Sequence, residues 1–274
     1  MAILLSLLSS AMWGVADFLG GNQTKRLPVA LVVGLSQFFG LLTAVGFSFI
    51  IGWEWDTRAV PWAMISSLSG YAGLMFFYKA LAIGRMGIVS PIASLGAIVP
   101  VAAGLLAGDS PSAWQIIGIV VAIVGIVLAS GPELSGGADA KPVFLAIGTA
   151  IGFGFCLWAI AKGSEFSVMT TMVGMRAQTV VLAAIAIVVT KSYAKVNLAD
   201  GVRLSAIGAL DILANVTFGY ASTAGMLSIV AVLGSIYPVF TVLLAWWLLK
   251  ERLMPVQYAG VVAALMGVAA ISAG

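Results

Sequence analysis

The chain has 274 residues, of which 62% are hydrophobic and only 8% are charged. A soluble globular domain carries roughly a quarter of charged residues, so this composition predicts an all-α protein embedded in a membrane. The formal net charge is +3, and the basic residues stand singly or in pairs at the ends of apolar segments. This is not the pattern of a nucleic-acid-binding face, so we expect no nucleic acid partner.

The counts of histidine and cysteine exclude most catalytic chemistry. The chain has no histidine, and its one cysteine, Cys156, lies in an apolar stretch. Histidine-based zinc sites, Ser-His-Asp catalysis and an internal disulfide are therefore excluded. We expect neither an enzyme nor a bound metal or cofactor.

Ten apolar segments follow one another along the chain, each near the ~20 residues that a helix needs to cross a bilayer. They cover residues 2–21, 28–52, 60–83, 87–107, 112–130, 142–162, 168–190, 202–224, 226–249 and 255–273. The first has no basic flank and carries Asp17, so we expect a retained span rather than a signal peptide. The polar residues 131–141, with three glycines and a proline, predict a linker between two halves.

The two halves repeat each other. Phe76-x-Tyr78 recurs as Phe218-x-Tyr220, and Gln115-x2-Gly118-x6-Gly125 recurs as Gln257-x2-Gly260-x6-Gly267, each 142 residues later. Residues 1–135 and 136–274 each hold five segments, an odd number, so the second copy must be inverted in the membrane. The sequence therefore predicts ten transmembrane helices in two five-helix inverted repeats that form one transport domain. Many secondary transporters have this organisation.

Three prolines lie inside predicted spans rather than at their ends. Pro91 and Pro100 fall in the fourth segment and Pro238 in the ninth. A proline inside a helix frees a backbone carbonyl and bends the helix. We interpret these positions as hinges or gates, with a simple kink as the alternative.

Several motifs resemble one family over the whole chain. They are Trp13-Gly14-x2-Asp17-Phe18-x-Gly20-Gly21, Pro91-x8-Pro100, Gly108-Asp109-Ser110-Pro111, Asp211-x3-Asn215, and Tyr237-Pro238 followed by Lys250-Glu251-Arg252. This set resembles the EamA branch of the drug/metabolite transporter superfamily. The resemblance implies a ten-helix carrier of small organic metabolites, either driven by the proton-motive force or facilitative. The family usually has Gly-Glu-Arg after the fourth span, where this chain has Gly108-Asp109-Ser110, so the arginine is missing from the first half.

Four ionisable residues lie within the predicted spans: Asp17, Lys79, Arg176 and Asp211. A charge in hydrocarbon costs at least ~2.5 kcal/mol, so each must pair or face water. Asp17 and Lys79 lie at similar depth and can pair, although Lys79 can also extend its amine to the interface. Arg176 and Asp211 lie at depths that allow an ion pair near the midplane. That pair either only clamps two helices or also touches the substrate, for example its carboxylate.

The other half of the repeat does not carry these charges. The corresponding positions are Leu157 for Asp17, Ala221 for Lys79, Ser36 for Arg176 and Ser69 for Asp211. Charges confined to one copy are better candidates for substrate or coupling chemistry than residues that repeat with the fold. Asp17 is the first candidate for binding a proton or a cation.

Aromatic residues in mid-span indicate the walls of a pocket. Trp13 lies one turn before Asp17, Phe153 is its counterpart in the second half, and Tyr78 lies near the end of the third span. Together they suit a flat or cationic group through stacking and cation–π contacts. Packing between helices is the alternative explanation for all three.

These observations predict a multi-pass secondary transporter in the cytoplasmic membrane that moves a small organic metabolite by alternating access. An aromatic cavity with charges of both signs fits an amino acid or an amine better than a phosphate, which needs clustered Arg or Lys. Its partners are the small-molecule substrate, the lipid bilayer and, as candidate coupling ion, the proton. A channel or facilitative pore is the alternative, although the sequence has no filter-like loop or ring of like charges. An intramembrane enzyme is a second and less favoured alternative.

The distribution of basic residues predicts the orientation. One side of the membrane receives Lys25, Arg26, Lys79, Arg85, Lys141, Lys191, Lys195, Arg203, Lys250 and Arg252, and the other receives Arg58 and Lys162. By the positive-inside rule, both termini lie outside the cytoplasm. Many relatives in the resembling family are thought to have cytoplasmic termini, but a bias of ten against two outweighs that analogy.

A reporter that fluoresces only in the cytoplasm tests this orientation. Fused to the C-terminus, it should stay dark, because an even number of spans puts both termini on the outer side. The same reporter inserted in the linker at residues 131–141 should fluoresce, which controls for expression. Strong fluorescence from the C-terminal fusion would reverse the assignment.

Overall fold

The computed structural model describes residues 1–53, 55–84, 86–129, 140–248 and 254–274, with the backbone alone at 86–88, 91, 242 and 245. All regular structure within these ranges is helical. The helices are α1 (Ala2–Gln23), α2 (Val29–Ile51), α3 (Val60–Ile83), α4 (Met86–Ser94), α5 (Ile98–Leu106), α6 (Ala113–Ala129), α7 (Ala140–Ser164), α8 (Val168–Thr190), α9 (Leu198–Ala224), α10 (Leu227–Gly234), α11 (Tyr237–Leu248) and α12 (Pro255–Ala273).

The described helices are long and apolar enough for a multi-pass membrane protein. Eight segments can cross a bilayer by length and hydropathy, and two shorter apolar helices, at 92–106 and Ala113–Ala129, lie between them. They coincide with the ten apolar segments of the sequence to within a few residues. The all-helical membrane architecture is therefore confirmed, while the count of ten spans and the inversion of the halves stay predictions.

The fourth and ninth segments are broken in the middle. In the fourth, a short 3₁₀ turn at Leu95–Ala97 separates α4 from α5, and in the ninth, α10 ends at Gly234 before α11 begins at Tyr237. Pro100 and Pro238 lie in the first turn after each break, where a proline removes the bond to the residue four positions earlier. The lost bonds would have ended on residues 96 and 234, at the breaks themselves.

Pro91 differs from the other two prolines. It lies within α4 rather than after a break, and its side chain is outside the described residues. The hinge prediction thus coincides with a helix break for Pro100 and Pro238 but not for Pro91.

The long helices of the two halves pack against each other in antiparallel pairs. Along α1 and α9, Ala2 lies beside Gly225 at one end, and Gln23 donates a hydrogen bond to Asp200 at the other. Along α3 and α7, Trp62 lies beside Gly163 at the start of the contact. In addition α2 packs against α8 and α9, α1 against α11, α4 against α7, and α5 against α10.

The repeated glycines form the contact between α6 and α12. A Cβ added to Gly125 would lie 2.3 Å from the backbone nitrogen of Ala264, and one added to Gly260 would lie 1.9 Å from that of Ala129. Residues later in α6 therefore contact residues earlier in α12. These two helices are thus antiparallel, with their backbones in contact. Small residues allow this close approach, which drives helix association in lipid.

The repeated glutamine before these glycines caps the same helices. Gln115 Oε1 accepts a hydrogen bond of 2.9 Å from the backbone nitrogen of Ser112. Gln257 Oε1 accepts one of 2.8 Å from the backbone nitrogen of Met254. Each glutamine accepts a hydrogen bond from the backbone amide of the residue that caps its helix, as the Glu or Gln at the third helical position of a capping box does. The duplicated motif is therefore a structural element of both copies.

Gly260→Ala should destabilise the protein, because the new methyl group meets backbone rather than a movable side chain. We expect a loss of about 1–3 kcal/mol, as for overpacking in a core. Gly46→Ala on α2 is the matched control, since nothing lies within 4 Å of the added Cβ there. Thermal unfolding of the detergent-purified variants measures the difference. A Gly260→Ala protein that melts at or above the wild-type temperature would contradict this packing.

Candidate functional site: a central cavity between the two halves

A cavity lies in the middle of the helix bundle, where the two broken segments face each other. It has about 780 Å³ of space not filled by atoms, part of it open to solvent. The first half contributes residues from the middle of α1, α2, α3 and the 3₁₀ turn, and the second half contributes residues from α7, α8, α9 and the start of α11. Most of the lining is apolar, with a small set of polar groups.

The charged pair predicted near the midplane is present. Arg176 on α8 and Asp211 on α9 form a salt bridge of 2.8 Å between Nη2 and Oδ2. Gln37 on α2 joins both, because its amide nitrogen donates to Asp211 Oδ2 at 3.2 Å and its amide oxygen accepts from Arg176 Nη1. Asn215 lies one turn after Asp211 and donates to Asp211 Oδ1 at 3.3 Å. Three helices are thus tied together by one polar network.

Burial makes this network necessary rather than optional. Arg176 is 4% exposed and Gln37 is 2% exposed. A charge at this depth is tolerated only when it is paired and hydrogen-bonded. A glycine allows α2 and α9 to approach closely enough for this network to form, since a Cβ on Gly208 would lie 2.0 Å from the carbonyl oxygen of Ser36. Gln37 follows Ser36 directly, so this backbone contact brings its side chain within reach of Asp211.

Asp17 lines the same cavity but has no such partner. It is 9% exposed, and no hydrogen bond or ion pair joins its carboxylate to another described residue. Asp211 is near enough to act on it electrostatically, with the same sign of charge. Asp17 is therefore an uncompensated buried acid next to a compensated one.

Lys79 does not compensate Asp17. Its side chain is exposed on α3, it does not line the cavity, and no salt bridge links these two described residues. Of the two alternatives that the sequence left open for Lys79, the structure favours the one in which its amine extends to the interface.

Two of the three predicted aromatic residues line the cavity. Trp13 does so with its ring 5.7 Å from that of Phe218, and Phe153 does so with its ring 5.6 Å from that of Phe77. Tyr78 is not among the lining residues: it is 2% exposed and packs over α1, where a Cβ on Gly20 would lie 2.1 Å from its hydroxyl. On α3 it is instead Leu74 and Tyr71, one and two turns earlier, that face the cavity.

Comparison with known proteins agrees with these features. The model of the EamA-like transporter family matches residues 1–131 and 140–273. The chain belongs to the EamA-like transporter family. It is therefore a multi-pass membrane protein of a transporter family rather than of an enzyme family, and the resemblance seen in its motifs is confirmed.

Two further proteins are similar to this EamA-like chain. The uncharacterized protein MJ1333.1 of Methanocaldococcus jannaschii is 31% identical over 135 residues, which are 47% of this chain and 96% of that protein. A protein of known crystal structure superimposes with a TM-score of 0.81 over 99% of this chain and 97% of its own, at 17% identity. At that identity the likeness concerns the fold alone.

Sequence reasoning did not single out Gln37, Tyr71 and Tyr237, which are among the polar residues that line this EamA-like cavity. The hydroxyls of both tyrosines are buried without a hydrogen-bond partner among the described residues. A signal existed for Gln37, which is a fully polar side chain in the middle of an otherwise apolar span and must therefore find partners. For a tyrosine there is no such signal, because its ring packs as well in a helix interface as in a cavity.

The described residues hold no group of three or more His, Cys, Asp or Glu side chains that suits a metal ion. The polar groups of the described lining are carboxylate, guanidinium, amide, phenol and the hydroxyls of serine and threonine. They suit recognition of a charged or hydrogen-bonding organic solute.

Neutralising one member of the Arg176–Asp211 pair should cost more than neutralising both. Arg176→Gln or Asp211→Asn alone leaves a buried charge without its partner, at roughly 3–5 kcal/mol for a strongly buried pair. The double variant should therefore unfold at a higher temperature than either single variant.

The exposed pair Arg58 and Asp56, 2.7 Å apart, is the matched control. Its two neutralisations should add without coupling, because exposed ion pairs contribute little. All variants are compared by thermal unfolding in the same detergent. Simple addition of the two losses at Arg176 and Asp211 would show that these residues are not energetic partners.

Proposed function

We propose that this EamA-like protein is a secondary transporter that carries a small organic solute with an amino group, an amino acid or an amine, across the cytoplasmic membrane by alternating access. The observation that carries this proposal is the central cavity, which is lined by both halves and contains a buried acid without a partner. A buried carboxylate without a partner needs a proton or a cation before the cavity around it can close. The proton can serve as the coupling ion, and the cation can be the solute itself.

The proposal includes ten spans in two inverted repeats, at residues 1–135 and 136–274. The packing of the helices supports it. In the proposed repeat, α1, α2 and α3 correspond to α7, α8 and α9. Exchanging corresponding helices converts the contact of α1 with α9 into that of α7 with α3. It also converts the contact of α2 with α9 into that of α8 with α3. It likewise converts α1 with α10 into α7 with α4, and α1 with α11 into α7 with α5.

Spans that correspond to each other also meet. The pairs α6 with α12 and α2 with α8 are antiparallel at their contacts: Gly34 lies beside Ile187, and Gly40 lies beside Arg176. The match of the family model to two successive segments, and a relative about half as long as this chain, support a duplicated unit. An inverted pair gives each face of the membrane one gate of similar construction.

The broken helices supply the moving parts in this proposal. Gly96 and Gly234 stand at the two breaks, and both line the cavity. Unwound backbone lining a cavity is how many transporters form a midplane site. We propose that the turns before Pro100 and Pro238 act as hinges, so that swinging of α5 and α11 opens one face while the other closes.

Asp17 provides the coupling step. When the cavity closes and water leaves, an unpaired carboxylate in a low-dielectric site is costly. Arg176 does not relieve this cost, since it is already engaged with Asp211 and Gln37. Binding of a proton or of the cationic group of the solute does relieve it, and closure of the gate then depends on one or the other.

A channel remains the second candidate, but no observation favours it. The described lining has one acid and one neutralised pair rather than a ring of like charges, which cation channels use for selectivity.

Asp17→Asn should abolish accumulation driven by a pH or cation gradient while exchange by counterflow stays measurable. The amide imitates the neutral carboxyl, so closure no longer requires a proton or a cation. Its oxygen still accepts a hydrogen bond from an ammonium group, so the solute binds more weakly but exchange persists. Proteoliposome uptake of amines and amino acids with an imposed gradient, compared with counterflow in the same vesicles, measures both activities.

Glu165→Gln is the matched control for Asp17→Asn. Glu165 is an exposed acid just beyond the end of α7, so its neutralisation should leave gradient-driven uptake intact. If instead the Asp17→Asn protein accumulates solute as the wild type does, Asp17 has no part in coupling and only anchors its span.

A further inference from the structure

The charges of the cavity do not cancel. The charged residues among its described lining are Asp17, Arg176 and Asp211, whose formal charges total −1 when all three are ionised. Arg176 is matched by Asp211 at 2.8 Å, so the remaining negative charge is that of Asp17. A ligand with one positive charge neutralises the cavity. A zwitterion leaves the total at −1 and brings a carboxylate for which the described lining has no uncommitted cation.

A second, smaller pocket lies beside the main cavity where the two broken segments meet, and we call it the side pocket. Ser94, Ala97 and Ser235 line both the side pocket and the main cavity. The inner walls of the side pocket are aliphatic, with Ile123 on α6 and Val232 on α10. Such walls offer no charge and suit a hydrocarbon group.

The entrance of the side pocket opens on the cavity that Asp17 lines. Ser235 at that entrance is two residues before Tyr237, which lines the main cavity. The carbonyl of Tyr237 in turn packs against α1 at Gly14, where an added Cβ would lie 2.8 Å from it. Gly14 is one helical turn before Asp17. Asp17 and the side pocket therefore border the same cavity, on the side where α11 packs against α1.

We propose that the side pocket is a specificity subsite that receives a short apolar substituent of the solute whose ammonium group is held by Asp17. This inference rests on the proposed function and narrows it. The solute class becomes a short alkyl amine with one positive charge, rather than a zwitterionic amino acid. Ser94, Ala97 and Ser235 form the passage between the two parts of the site.

Binding of three probes to the purified full-length protein at neutral pH tests this subsite. Isobutylamine has both groups, methylamine has the ammonium alone, and valine adds a carboxylate to the carbon skeleton of isobutylamine. We expect isobutylamine to bind at least about tenfold more tightly than methylamine, since one methylene in an apolar pocket changes affinity by about 10–200-fold. Valine should bind at least about tenfold more weakly than isobutylamine. Isothermal titration calorimetry measures all three dissociation constants.

Substitution at Ile123 changes the volume of the side pocket from α6. Ile123→Phe should bring the ratio of the methylamine to the isobutylamine dissociation constant close to one, because the ring fills the pocket. Ile123→Ala should shift the preference to the longer 3-methylbutylamine. Ile119→Phe is the matched control: Ile119 is one turn earlier on the same helix, outside both linings, and its substitution should leave the ratio unchanged.

The possible outcomes separate this inference from the proposed function. If both amines bind equally well to the wild type, or if Ile123→Phe leaves the ratio intact, the side pocket is not a subsite while amine transport still stands. Valine binding as tightly as isobutylamine would overturn the preference for a single positive charge. Absence of binding by all three probes would overturn the subsite and the proposed amine or amino acid solute together.

Discussion

The ion pair between Arg176 and Asp211 is the constraint on which the centre of this protein depends. Neither charge is tolerable alone at this depth, so α8 and α9 must hold a register that keeps Nη2 and Oδ2 2.8 Å apart. Gln37 extends the same requirement to α2 by serving both partners with one amide. The pair consumes the cation of the described lining, and the chemistry of the cavity is consequently decided by Asp17, which is left unmatched.

The scaffold around this network is built from contacts in which both halves take part in the same way. The capping glutamines and close-packed glycines of α6 and α12 occur in both copies, and the packing pairs of one half have counterparts in the other. The charges have no such counterparts: Arg176 corresponds to Ser36, and Asp17 to Leu157. We therefore propose that a duplicated unit provides the frame and that substitutions confined to one copy provide the chemistry.

The helix breaks connect this frame to the proposed movement. Proline at positions 100 and 238 prevents two apolar segments from forming continuous helices, and the interruptions lie beside the cavity rather than against lipid. That location is a physical requirement, since unpaired backbone groups are not tolerated in hydrocarbon. The same breaks border the aliphatic side pocket, so one structural device serves the hinge and the proposed selection of the solute.

The sequence by itself determined the membrane setting, the helical class, the family and the two partners of the central ion pair. Each of these follows from strong signals: composition, segment length, repeated motifs, and the cost of a charge in hydrocarbon. Only the tertiary structure decided that Gln37 joins the pair, that Lys79 points away from Asp17, and that Tyr78 packs over Gly20 outside the cavity. These facts depend on how each helix is rotated about its axis. A helix that is apolar all round carries no periodic pattern to report that rotation, so it is determined by contacts with neighbouring helices.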